Sequence, residues 1–571
     1  MKKTILFILF LTIQQTIFAQ KNQYADFIKT WNFIKYYHPD LAGRKMDADS
    51  IFLMNVEKVH EKESFNEIIK LLTQNLDARF SSAPIVDTQK DVLSVNQNFD
   101  WFRKNKKISP ENKTLLNNIY QYRFDYGLLP EGKSVNDEKK YVFPKEENLP
   151  LKYRLLAMAK IQGIIDYLFP HKYLMDKNFD SYFNILLDEA VKSTTRKDFE
   201  MVLAKAVSQF QDSHALNFYS QLNYKNEILF NLSYYAPFDF EIVDNHLLVT
   251  HQIFPEICNQ AHIQVGDKIT EINGKRIDQI IKEKSNLISV SNHQKLLYVL
   301  SIYEYNLMWP DKLPTKKLTV QSDSGKFSTE IPFINATNKA QVSIISDYIN
   351  NKNRKKSNHH LINKDIAYFR IDQTLDFINN VDDDKMDLKM DSILQDASHK
   401  KAIVFDMREY PDWGGFIFHY VYKYFSPVEN YFHKYYGPDL KNIGTYYLVD
   451  PKKQNYPEIK DKTMHPYLGK VFILVNPETR SASEWYSMSL QKIFPKSITI
   501  GQQTSGADGD LVKINLPGDY VLQFTGNGIF YPDNTQTQKI GIRINELIKY
   551  TDRDILDGRD LEFERVLNSI K

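Results

Sequence analysis

The residues best suited to chemistry lie near position 480. The apolar run Val471–Val475 has the composition of a strand and stops at Asn476-Pro477, and a helical pattern begins after a short polar turn. Ser481 therefore falls on a strand-to-helix turn, beside the free N–H groups of a helix start, which stabilise the negative charge that forms when a serine attacks a carbonyl. The same residues allow a second interpretation, in which Ser481 caps the helix and Glu484 completes a capping box.

Other reactive residue types do not form a site in the sequence. None of the 14 histidines lies with cysteine at metal-ligand spacing, so we predict no metal and no cofactor. Cys258 is the single cysteine, which rules out an intramolecular disulfide. Its apolar surroundings lack the positive charge or helix start that would activate a thiol, so a catalytic thiol is not predicted.

Length and charge limit the class of protein. A chain of 571 residues with 42% hydrophobic residues can bury large cores, and it predicts three or four domains. The 73 basic and 71 acidic residues nearly balance, which argues against a nucleic-acid partner. The aromatic content of 13% is typical of packed domains rather than of disorder.

The N-terminus has the layout of a signal peptide. Lys2-Lys3 precede an apolar stretch that is too short and too polar to predict a membrane span, and the expected cleavage site follows Ala19. No cysteine follows the apolar core, so a lipoprotein anchor is not expected. We predict that residues 1–19 are a cleaved signal, that no integral membrane segment remains, and that the protein is periplasmic or secreted, with association at the outer membrane left open.

Residues 20–220 are predicted to form a helical domain, because long apolar runs recur with helical period and glycines are few. A weak internal repeat lies within it, at an offset of 131 residues: Phe33–Pro39 aligns with Ile164–Pro170. Each copy has the pattern of an aromatic helix that ends at proline, followed by a turn and a second helix. We interpret the repeat as a packing device.

Strand patterns begin near residue 237. Within 225–336, Gly266-Asp267 predicts a turn into a strand, and Asn273-Gly274 supplies the positive φ values of a tight hairpin. Residues 337–363 are mostly polar and are predicted to be a linker. Residues 364–571 alternate strands with helices, which predicts an α/β domain whose site lies at the carboxyl ends of parallel strands.

Six separated segments, taken in order, resemble peptidase family S41, the tail-specific or C-terminal processing proteases. The resemblance covers residues from about 200 to 571, and one segment also resembles a PDZ domain. The six segments are Gln211–Ala215, Ala261–Lys275 (the PDZ-like one), Val404–Arg408, Arg480–Glu484, Gly501–Gly506, and Gly528–Asp533 continued by Gly541-Ile542.

The resemblance implies a multidomain α+β protein. Its parts are a helical N-terminal domain, a PDZ-like β domain over 225–336, and an α/β catalytic domain of the ClpP/crotonase type over 364–571. PDZ domains bind extended peptides or free C-termini by adding a strand to a sheet edge. By this resemblance Gly266 and Ile269 are substrate-binding residues.

The resemblance also implies roles around the nucleophile. Ser481 takes the place of the family's catalytic serine, and Ala482 takes the place of the residue whose N–H binds the oxyanion. A second donor comes from the loop after the Asp-x-Arg strand. Residues 408–415 take the place of that loop, and the resemblance implies Tyr410 as the donor. The family's glycines are partly replaced in this loop, and Pro411 has no N–H to donate, so the sequence leaves the identity of the second donor open.

The chain differs from the processing proteases at the residue that acts as their general base. Those enzymes activate serine with a lysine after a Thr-x-Gly segment, and Ala507 occupies that position here. Serine still needs a base, because its hydroxyl is a weak nucleophile. The tricorn-like branch of the family uses a serine-histidine pair that Ser213-His214 matches, so the resemblance implies His214 as general base at neutral pH, with Ser213 orienting the imidazole.

The acid that supports the histidine is left open by the sequence. The tricorn-like branch has a glutamate at the position that aligns with Gln538, and a glutamine can orient a neighbour by hydrogen bonding but cannot supply charge. Three aspartates near the matched segments are candidates for this part: Asp212, Asp508 and Asp510.

These inferences predict an exported serine endopeptidase. It would hydrolyse unfolded or C-terminally presented polypeptides through an acyl-enzyme at Ser481, with His214 as base. The alternative is a catalytically inactive peptide-binding protein of the same fold, motivated by the missing lysine and by Gln538. The aromatic content alone suggests a third interpretation, a carbohydrate- or envelope-binding protein. The sequence does not predict the oligomeric state.

Overall fold

The computed structural model describes residues 24–61, 64–77, 80, 83–87, 91–175, 179–353, 364–425, 431–449 and 467–570. The predicted signal peptide, residues 1–19, lies outside the described residues, as do residues 354–363 of the predicted linker. No helix within the described ranges is long and apolar enough to cross a membrane.

The described part of residues 24–229 is mainly helical. Its α-helices are α1 (24–37), α2 (Pro39–Ala42), α3 (Ala48–Asn55), α4 (Phe65–Thr73), α5 (Asp100–Arg103), α6 (Pro110–Gln121), α7 (Leu151–Gly163), α8 (Phe179–Lys192), α9 (Arg196–Ser208) and α10 (Lys225–Leu229). A short strand, β1 (Val92–Val95), precedes α5, and a 3₁₀ helix, Ser213–Gln221, follows α9. Buried aromatic and aliphatic side chains of these helices form one continuous core.

The two copies of the predicted repeat pack against each other as a pseudo-symmetric pair. Tyr36 and Tyr167, which are 131 residues apart, have ring centroids 4.7 Å apart. Two ion pairs share the same offset and are reciprocal between the copies: Lys29 with Asp180 at 3.0 Å and Lys160 with Asp49 at 2.9 Å. The helix-proline-helix unit therefore buries its face against its own counterpart.

The middle of the chain is a mostly antiparallel sheet with helices against it. Its strands are β2 (Tyr234–Tyr235), β3 (Phe238–Val243), β4 (His246–Gln252), β5 (Lys268–Ile272), β6 (Lys275–Arg276), β7 (Thr315–Ser322), β8 (Gly325–Pro332) and β9 (Ile334–Asn335). The main sheet has the order β3-β4-β5-β7-β8, with β6 paired to β5, so β3 is an edge strand. Its helices are α11 (Pro255–Gln260), α12 (Ile277–Ser285) and α13 (His293–Ser301).

The segment predicted to be a linker contains a helix, which corrects that prediction. Helix α14 (Lys339–Lys352) packs on the middle sheet through Ile345, whose side chain is buried. Tyr348 Oη donates to Asp239 Oδ2 at 2.5 Å, and Lys352 Nζ lies 2.7 Å from the same oxygen. The polar composition misled the sequence interpretation, because buried Ile345, partly buried Tyr348 and Ile349, and a buried carboxylate are enough to fix this helix.

The last third of the chain contains a parallel sheet. Its strands and helices are β10 (Ile366–Arg370), α15 (Met386–Ser398), β11 (Ala402–Asp406), α16 (Tyr422–Phe425), β12 (Lys434–Pro438), β13 (Thr445–Leu448), β14 (Lys470–Val475), α17 (Ala482–Ile493), β15 (Ile498–Gly501), β16 (Leu511–Leu516), β17 (Tyr520–Thr525), β18 (Gly528–Phe530), β19 (Glu546–Leu547), α18 (Asp552–Leu556) and α19 (Leu561–Ile570). The order β10-β11-β14-β15-β19 is parallel throughout. The central strands are continuous apolar runs, as expected for a sheet that is covered on both faces.

Strand pairing and a packed hairpin help to join the parallel-sheet region to the N-terminal helices. Strand β1 pairs with β13, and the β16–β17 hairpin places apolar side chains such as Leu522 and Phe524 in the core of the helical region. Strand β17 also lies along the 3₁₀ helix, where the side-chain amide of Gln221 exchanges hydrogen bonds with the backbone of Val521 at 2.8 and 2.9 Å. The hairpin therefore fixes Ser213–Gln221 relative to the parallel sheet.

The predicted mixture of helices and sheets in several parts is confirmed, and so is the parallel sheet after residue 364. Strand β5 follows the predicted turn, β14 contains the predicted run Val471–Val475, and Asn273 and Gly274 have the positive φ values, 50° and 77°, of the predicted hairpin.

Candidate active site

Ser481 lies on a sharp turn between β14 and α17, at the carboxyl end of the parallel sheet. Its backbone has φ 48° and ψ −118°, a conformation that usually requires glycine and that costs a residue with a Cβ about 1–3 kcal/mol. Its N–H donates to the carbonyl of Ala507 at 3.2 Å, and its own carbonyl accepts from the Trp485 N–H at 2.9 Å. A strained serine on a strand-to-helix turn is the geometry of a nucleophile elbow.

The structure corrects the capping interpretation. Ser481 is the residue before the first helical residue, but its hydroxyl makes no capping hydrogen bond. The Glu484 carboxylate does not turn back to the helix start, as a capping box requires. It accepts from the Thr504 hydroxyl at 2.5 Å, from Gly506 N–H at 2.8 Å and from Ala507 N–H at 3.0 Å. Glu484 therefore holds the loop after β15 against the helix that carries Ser481.

Burial dominates the electrostatics of Glu484. Burial raises the pKa of its carboxyl above the usual value, while the hydrogen bonds from the loop and the positive charge available on His214 act in the opposite direction.

His214 lies at the start of the 3₁₀ helix, where Asp212 is the capping residue. The Asp212 carboxylate accepts from the His214 backbone N–H at 3.1 Å, and its Oδ1 lies 3.7 Å from imidazole Nδ1. The hydrogen-bond partner of Nδ1 is the hydroxyl of Thr525, at 2.8 Å. Thr525 ends β17, and its hydroxyl and N–H both donate to Asp212, at 2.9 and 2.5 Å.

A single loop, Thr504–Ala507, connects the two predicted catalytic segments. Its carbonyl at Ala507 binds Ser481, and its carbonyl at Ser505 accepts from the Ser213 hydroxyl at 3.4 Å. Gly506 at the middle of the loop has φ +64°, and a Cβ there would meet the Lys539 backbone at 2.7 Å. The loop therefore needs glycine at this position in order to pass between its neighbours.

The Ser213 hydroxyl has partners other than the imidazole. Besides the Ser505 carbonyl, it accepts from the Ser291 N–H at 3.0 Å, and the Ser213 N–H donates to the Ser291 hydroxyl at 2.8 Å. These bonds attach the predicted Ser213-His214 pair to the segment before α13. The orienting role of Ser213 toward His214 stays a prediction, and the recorded contacts give that position to Thr525.

The other candidates for the supporting acid or amide lie elsewhere. Gln538 is buried, and both atoms of its side-chain amide lack a hydrogen-bond partner among the described residues. Asp510 binds Tyr435 Oη at 2.7 Å and Asn527 Nδ2 at 2.8 Å. Burial, followed by the nearby Glu484, raises the pKa of Asp508 well above its usual value, which favours the neutral carboxyl. Of the three aspartates, Asp212 is the one with a recorded contact to His214.

The predicted oxyanion donors flank the start of α17. Ala482 is the first residue of the helix, and its N–H has no acceptor among the described residues. The loop that carries Tyr410 is held against the helix by the Ser483 hydroxyl, which donates to the carbonyl of Glu409 at 2.7 Å. Asp406 and Arg408 form an ion pair at the end of β11, at 2.9 Å. The oxyanion roles of Ala482 and Tyr410 stay predictions.

A groove of about 840 Å³ lies between the middle sheet and the parallel sheet. Its walls are the edge strand β3 with the turn after it, helix α13, the ends of β14 and β15, and residues 547–550. Helix α13 is tied to the catalytic turns, since Lys295 forms an ion pair with Glu478 at 2.6 Å and Asn292 Nδ2 donates to the Thr504 carbonyl at 2.8 Å.

The structure corrects the substrate-binding prediction for Ile269. Its side chain is fully buried in the sheet, and its backbone pairs with Leu247 on one side and Val320 on the other, so it offers nothing to a ligand. Gly266 lies in the turn before β5, where its N–H donates to the Val249 carbonyl at 2.9 Å, and it does not line the groove. The Gly266-Asp267 motif thus indicates the turn that precedes β5 and does not indicate a binding surface.

The comparison with protein-family models decides the family. The model described as peptidase family S41 matches residues 365–547, which include Ser481, Glu484 and the Thr504–Ala507 loop. Residues 365–547 therefore form a domain of the S41 peptidase type. That domain supports peptidase function. Curated protein sequences gave no match to it.

Solved structures that are similar to this chain are distant from it in sequence. Mature CPAF has 11% identity and a TM-score of 0.50, and the match covers 72% of this chain and 96% of CPAF, which shows a shared fold. The photosystem II D1 C-terminal processing protease has 12% identity, a TM-score of 0.33 and coverage of 70% and 93%. The tricorn protease has 13% identity, a TM-score of 0.31 and coverage of 74% and 36%.

Sequence reasoning missed Thr525 and the contacts of Glu484. No sequence motif marks Thr525. It contacts His214 only because the β16–β17 hairpin, more than 300 residues later in the sequence, packs against the 3₁₀ helix. Within the described ranges, no three His, Cys, Asp or Glu side chains cluster as metal ligands.

Proposed function

We propose that this S41 protein is a serine endopeptidase in which Ser481 is the nucleophile and His214 the general base. One observation carries the proposal: Ser481 is held in a strained backbone conformation on the strand-to-helix turn, and its hydroxyl is not used for capping. Strain of this kind persists where the surrounding structure enforces it, and it is concentrated at functional sites. The glutamate network and the Thr504–Ala507 loop supply that enforcement.

The reaction follows from these positions. His214 takes the proton from the Ser481 hydroxyl as the serine oxygen bonds to the peptide carbonyl carbon, and the oxyanion is bound by N–H groups at Ala482 and Tyr410. The imidazolium then protonates the departing amine, which leaves an acyl-enzyme on Ser481. Water attacks the ester, His214 accepts its proton, and transfer of that proton to the serine oxygen releases the acid product.

The surroundings of position 507 favour histidine over lysine as the base. Ala507 has no titratable side chain, and its backbone is engaged on both sides, by Ser481 and by Glu484. His214 is joined to the Ser481 turn through Ser213 and the Ser505 carbonyl. The link supports a base that approaches from the N-terminal part of the chain.

The finer architecture belongs to the same proposal. The helical region up to about residue 220 would be an N-terminal domain, residues 225–336 a PDZ-like domain, and residues 364–571 a ClpP/crotonase-like catalytic domain. Polypeptide substrate would enter along the groove between β3 and α13, where an edge strand offers backbone hydrogen bonds. The N-terminal layout of residues 1–19 supports export to the periplasm or beyond.

A fluorophosphonate probe tests the nucleophile and the base together. We expect stoichiometric labelling of the pure, folded protein, with loss of labelling in Ser481→Ala and in His214→Ala. His399→Ala is a matched control, since His399 is exposed at the end of α15 and should label as the wild type does. Digestion of casein followed by mass spectrometry should then show internal cleavage sites that are absent with Ser481→Ala.

The inactive peptide-binding protein predicts the opposite results. Folded wild type would remain unlabelled both alone and with added polypeptide, while a peptide would still bind the groove. That outcome would overturn the enzyme proposal. A crystal structure with His214 Nε2 more than about 10 Å from Ser481 Oγ, and no hinge between them, would do the same.

A further inference from the structure

We infer that Asp212, acting through the hydroxyl of Thr525, is the acid that positions His214 and stabilises its charged form. The inference rests on the proposed function, because it concerns the base of that reaction. It assigns the role of supporting the imidazole to Asp212 and Thr525, and it takes that role away from Gln538. Asp212 and Thr525 are positioning residues, since they touch the imidazole rather than the substrate.

The hydrogen bonds fix the direction of the chain of donors. An ionised Asp212 can only accept, so the single hydroxyl hydrogen of Thr525 points to Asp212 Oδ1 across 2.9 Å. The Thr525 oxygen then accepts, at 2.8 Å, from Nδ1–H of His214. The imidazole is held in the tautomer with its proton on Nδ1, which leaves the lone pair on Nε2 for the serine proton.

The charge state of Asp212 agrees with this direction. Burial acts to raise the pKa of its carboxyl, but the interactions with His214 and the N–H groups of Thr525 and His214 outweigh burial and hold the pKa below its usual value. The side chain is fully buried, so its charge is not screened by solvent. When the imidazole gains the serine proton, the carboxylate 3.7 Å from Nδ1 stabilises the resulting positive charge.

The network is pre-organised by the fold. Thr525 is at the end of a hairpin strand whose apolar residues lie in the N-terminal core, and its N–H is bound to Asp212 Oδ2 at 2.5 Å. Asp212 is held in turn by Ser289, which donates to its carbonyl at 3.0 Å and accepts from its N–H at 3.1 Å. Neither residue needs to reorganise when the proton moves, which is the property that makes fixed dipoles effective in catalysis.

Other titratable groups face the same imidazole. Glu484 lies on the α17 side, and His171 lies on the side of the turn before α8. Burial lowers the pKa of His171 to about 4, so His171 is neutral near pH 7 and adds no competing charge there. Of these groups, Asp212 alone has a side chain that reaches Nδ1 through a single bridging hydroxyl.

The test compares variants at Thr525 and Asp212 by the rate of fluorophosphonate labelling as a function of pH. Thr525→Val removes the hydroxyl but keeps the backbone N–H that binds Asp212, so its plateau rate should fall about 10-fold or more. Thr525→Ser should recover most of that loss. Asp212→Asn should lower the plateau by about 100-fold and move the pH midpoint to lower pH, because the carboxylate no longer favours the imidazolium.

Two controls separate positioning from structural damage. Thr445→Val removes a buried threonine hydroxyl that donates to a backbone carbonyl at 2.7 Å outside this network, and it should label at the wild-type rate. Gln538→Ala is a test of the rival assignment and not a control, because a strong loss of labelling is expected there only if Gln538 positions the imidazole. Thermal unfolding of each variant shows whether a lower rate follows lost stability, which a purely capping role of Asp212 would predict.

The outcomes distinguish this inference from the proposed function. If wild type labels, His214→Ala does not, and Thr525→Val keeps the wild-type plateau and midpoint, the inference is overturned while the proposed function stands. A strong loss with Gln538→Ala alone would transfer the positioning role to Gln538. If wild type does not label at all, the proposed function fails first. Should Asp212→Asn unfold, ¹⁵N shifts of the His214 ring in wild type still decide, since a proton on Nε2 contradicts the inferred tautomer.

Discussion

The backbone of Ser481 is bonded to that of Ala507, with the Ser481 N–H donating to the Ala507 carbonyl at 3.2 Å. By the sequence resemblance, Ala507 stands where the processing proteases carry their lysine. The side chain of Ala507 is buried and has no titratable group, so the contact of this position with Ser481 is made by the backbone alone. Under the proposed function, the base therefore comes from another part of the chain.

Backbone strain at Ser481 gives the first prediction. Ser481→Gly should raise the free energy of unfolding by about 1–2 kcal/mol relative to Ser481→Ala, because glycine adopts φ 48° and ψ −118° without a Cβ clash and alanine does not. Both variants lose the hydroxyl, so both should fail to label with fluorophosphonate. Urea unfolding of the two proteins, followed by fluorescence, measures the difference.

Equal stability of the two variants would contradict the strain argument. Glycine also gains more entropy on unfolding than alanine, by about 0.5–1 kcal/mol, and this works against the expected difference. A stabilisation by glycine is therefore a conservative sign of relieved strain.

Local signals predicted much of the architecture around the site. The continuous apolar run of β14 and the polar turn after it located Ser481, and the Asn273-Gly274 pair located a hairpin, because both depend on residues adjacent in sequence. The position of α14 was missed, since its stabilising contact is a carboxylate on β3 more than 100 residues earlier.

The supporting residues of the site could not be predicted for a similar reason. Thr525 is separated from His214 by 311 positions, and the sequence carries no mark of that hydrogen bond. Glu484 has the spacing of a capping box, so local rules assigned it to the helix start. In the structure its carboxylate instead accepts three hydrogen bonds from the loop after β15. Three hydrogen bonds outweigh the single one that a capping box would give.

The second prediction concerns Glu484. Glu484→Gln replaces one accepting oxygen by an NH₂ group, so at least one of the Thr504, Gly506 and Ala507 bonds is lost at a cost of about 1–3 kcal/mol. Because the loop places the Ala507 carbonyl on Ser481, the rate of fluorophosphonate labelling should fall about 10-fold. Glu484→Asp is the matched comparison, because aspartate keeps the negative charge but has a shorter side chain.

The pH dependence of that variant has a definite sign. The pKa of Glu484 is raised in the folded protein, so this carboxyl contributes more stability when protonated and less as pH rises through the folded pKa. Glutamine does not titrate. The stability deficit of Glu484→Gln should be larger at about pH 4.5 than at about pH 7.5, and a deficit that grows with pH would contradict the assignment.

Cys258 gives a third prediction, on accessibility. The thiol is buried and donates toward the Pro237 carbonyl, and burial raises its pKa to about 11. Since the thiolate is the reactive form, the folded protein should resist alkylation by iodoacetamide at pH 8 and react fully in denaturant. Rapid alkylation of the native protein would show that the sheet over α11 opens locally.

The fourth prediction uses the pseudo-symmetry of the N-terminal region as its own control. Lys160 and Asp49 form a buried pair, with side chains 1% and 4% exposed, and Lys160 also lies 2.8 Å from Glu138. The equivalent pair in the other copy, Lys29 with Asp180, is 23% and 42% exposed. Burial is the main difference between the two positions, because the repeat gives them the same place in the helix pair.

Removing the buried lysine should therefore cost far more than removing its counterpart. Lys160→Met keeps the aliphatic volume but removes the lysine from Asp49 and leaves Glu138 with Lys35 alone, and we expect a loss of about 3–5 kcal/mol, against about 0–1 kcal/mol for Lys29→Met. The pKa of Glu138 is lowered because Lys35 and Lys160 outweigh the opposing effect of burial, so its carboxylate stabilises the fold above its unfolded pKa and this contribution is lost as pH falls through the folded value. The gap between the two variants should accordingly narrow in acid, where protonation removes the unpaired charge. Calorimetric unfolding at about pH 7 and about pH 4 measures both effects, and equal shifts for the two variants would show that the second copy does not bury its ion pair in solution.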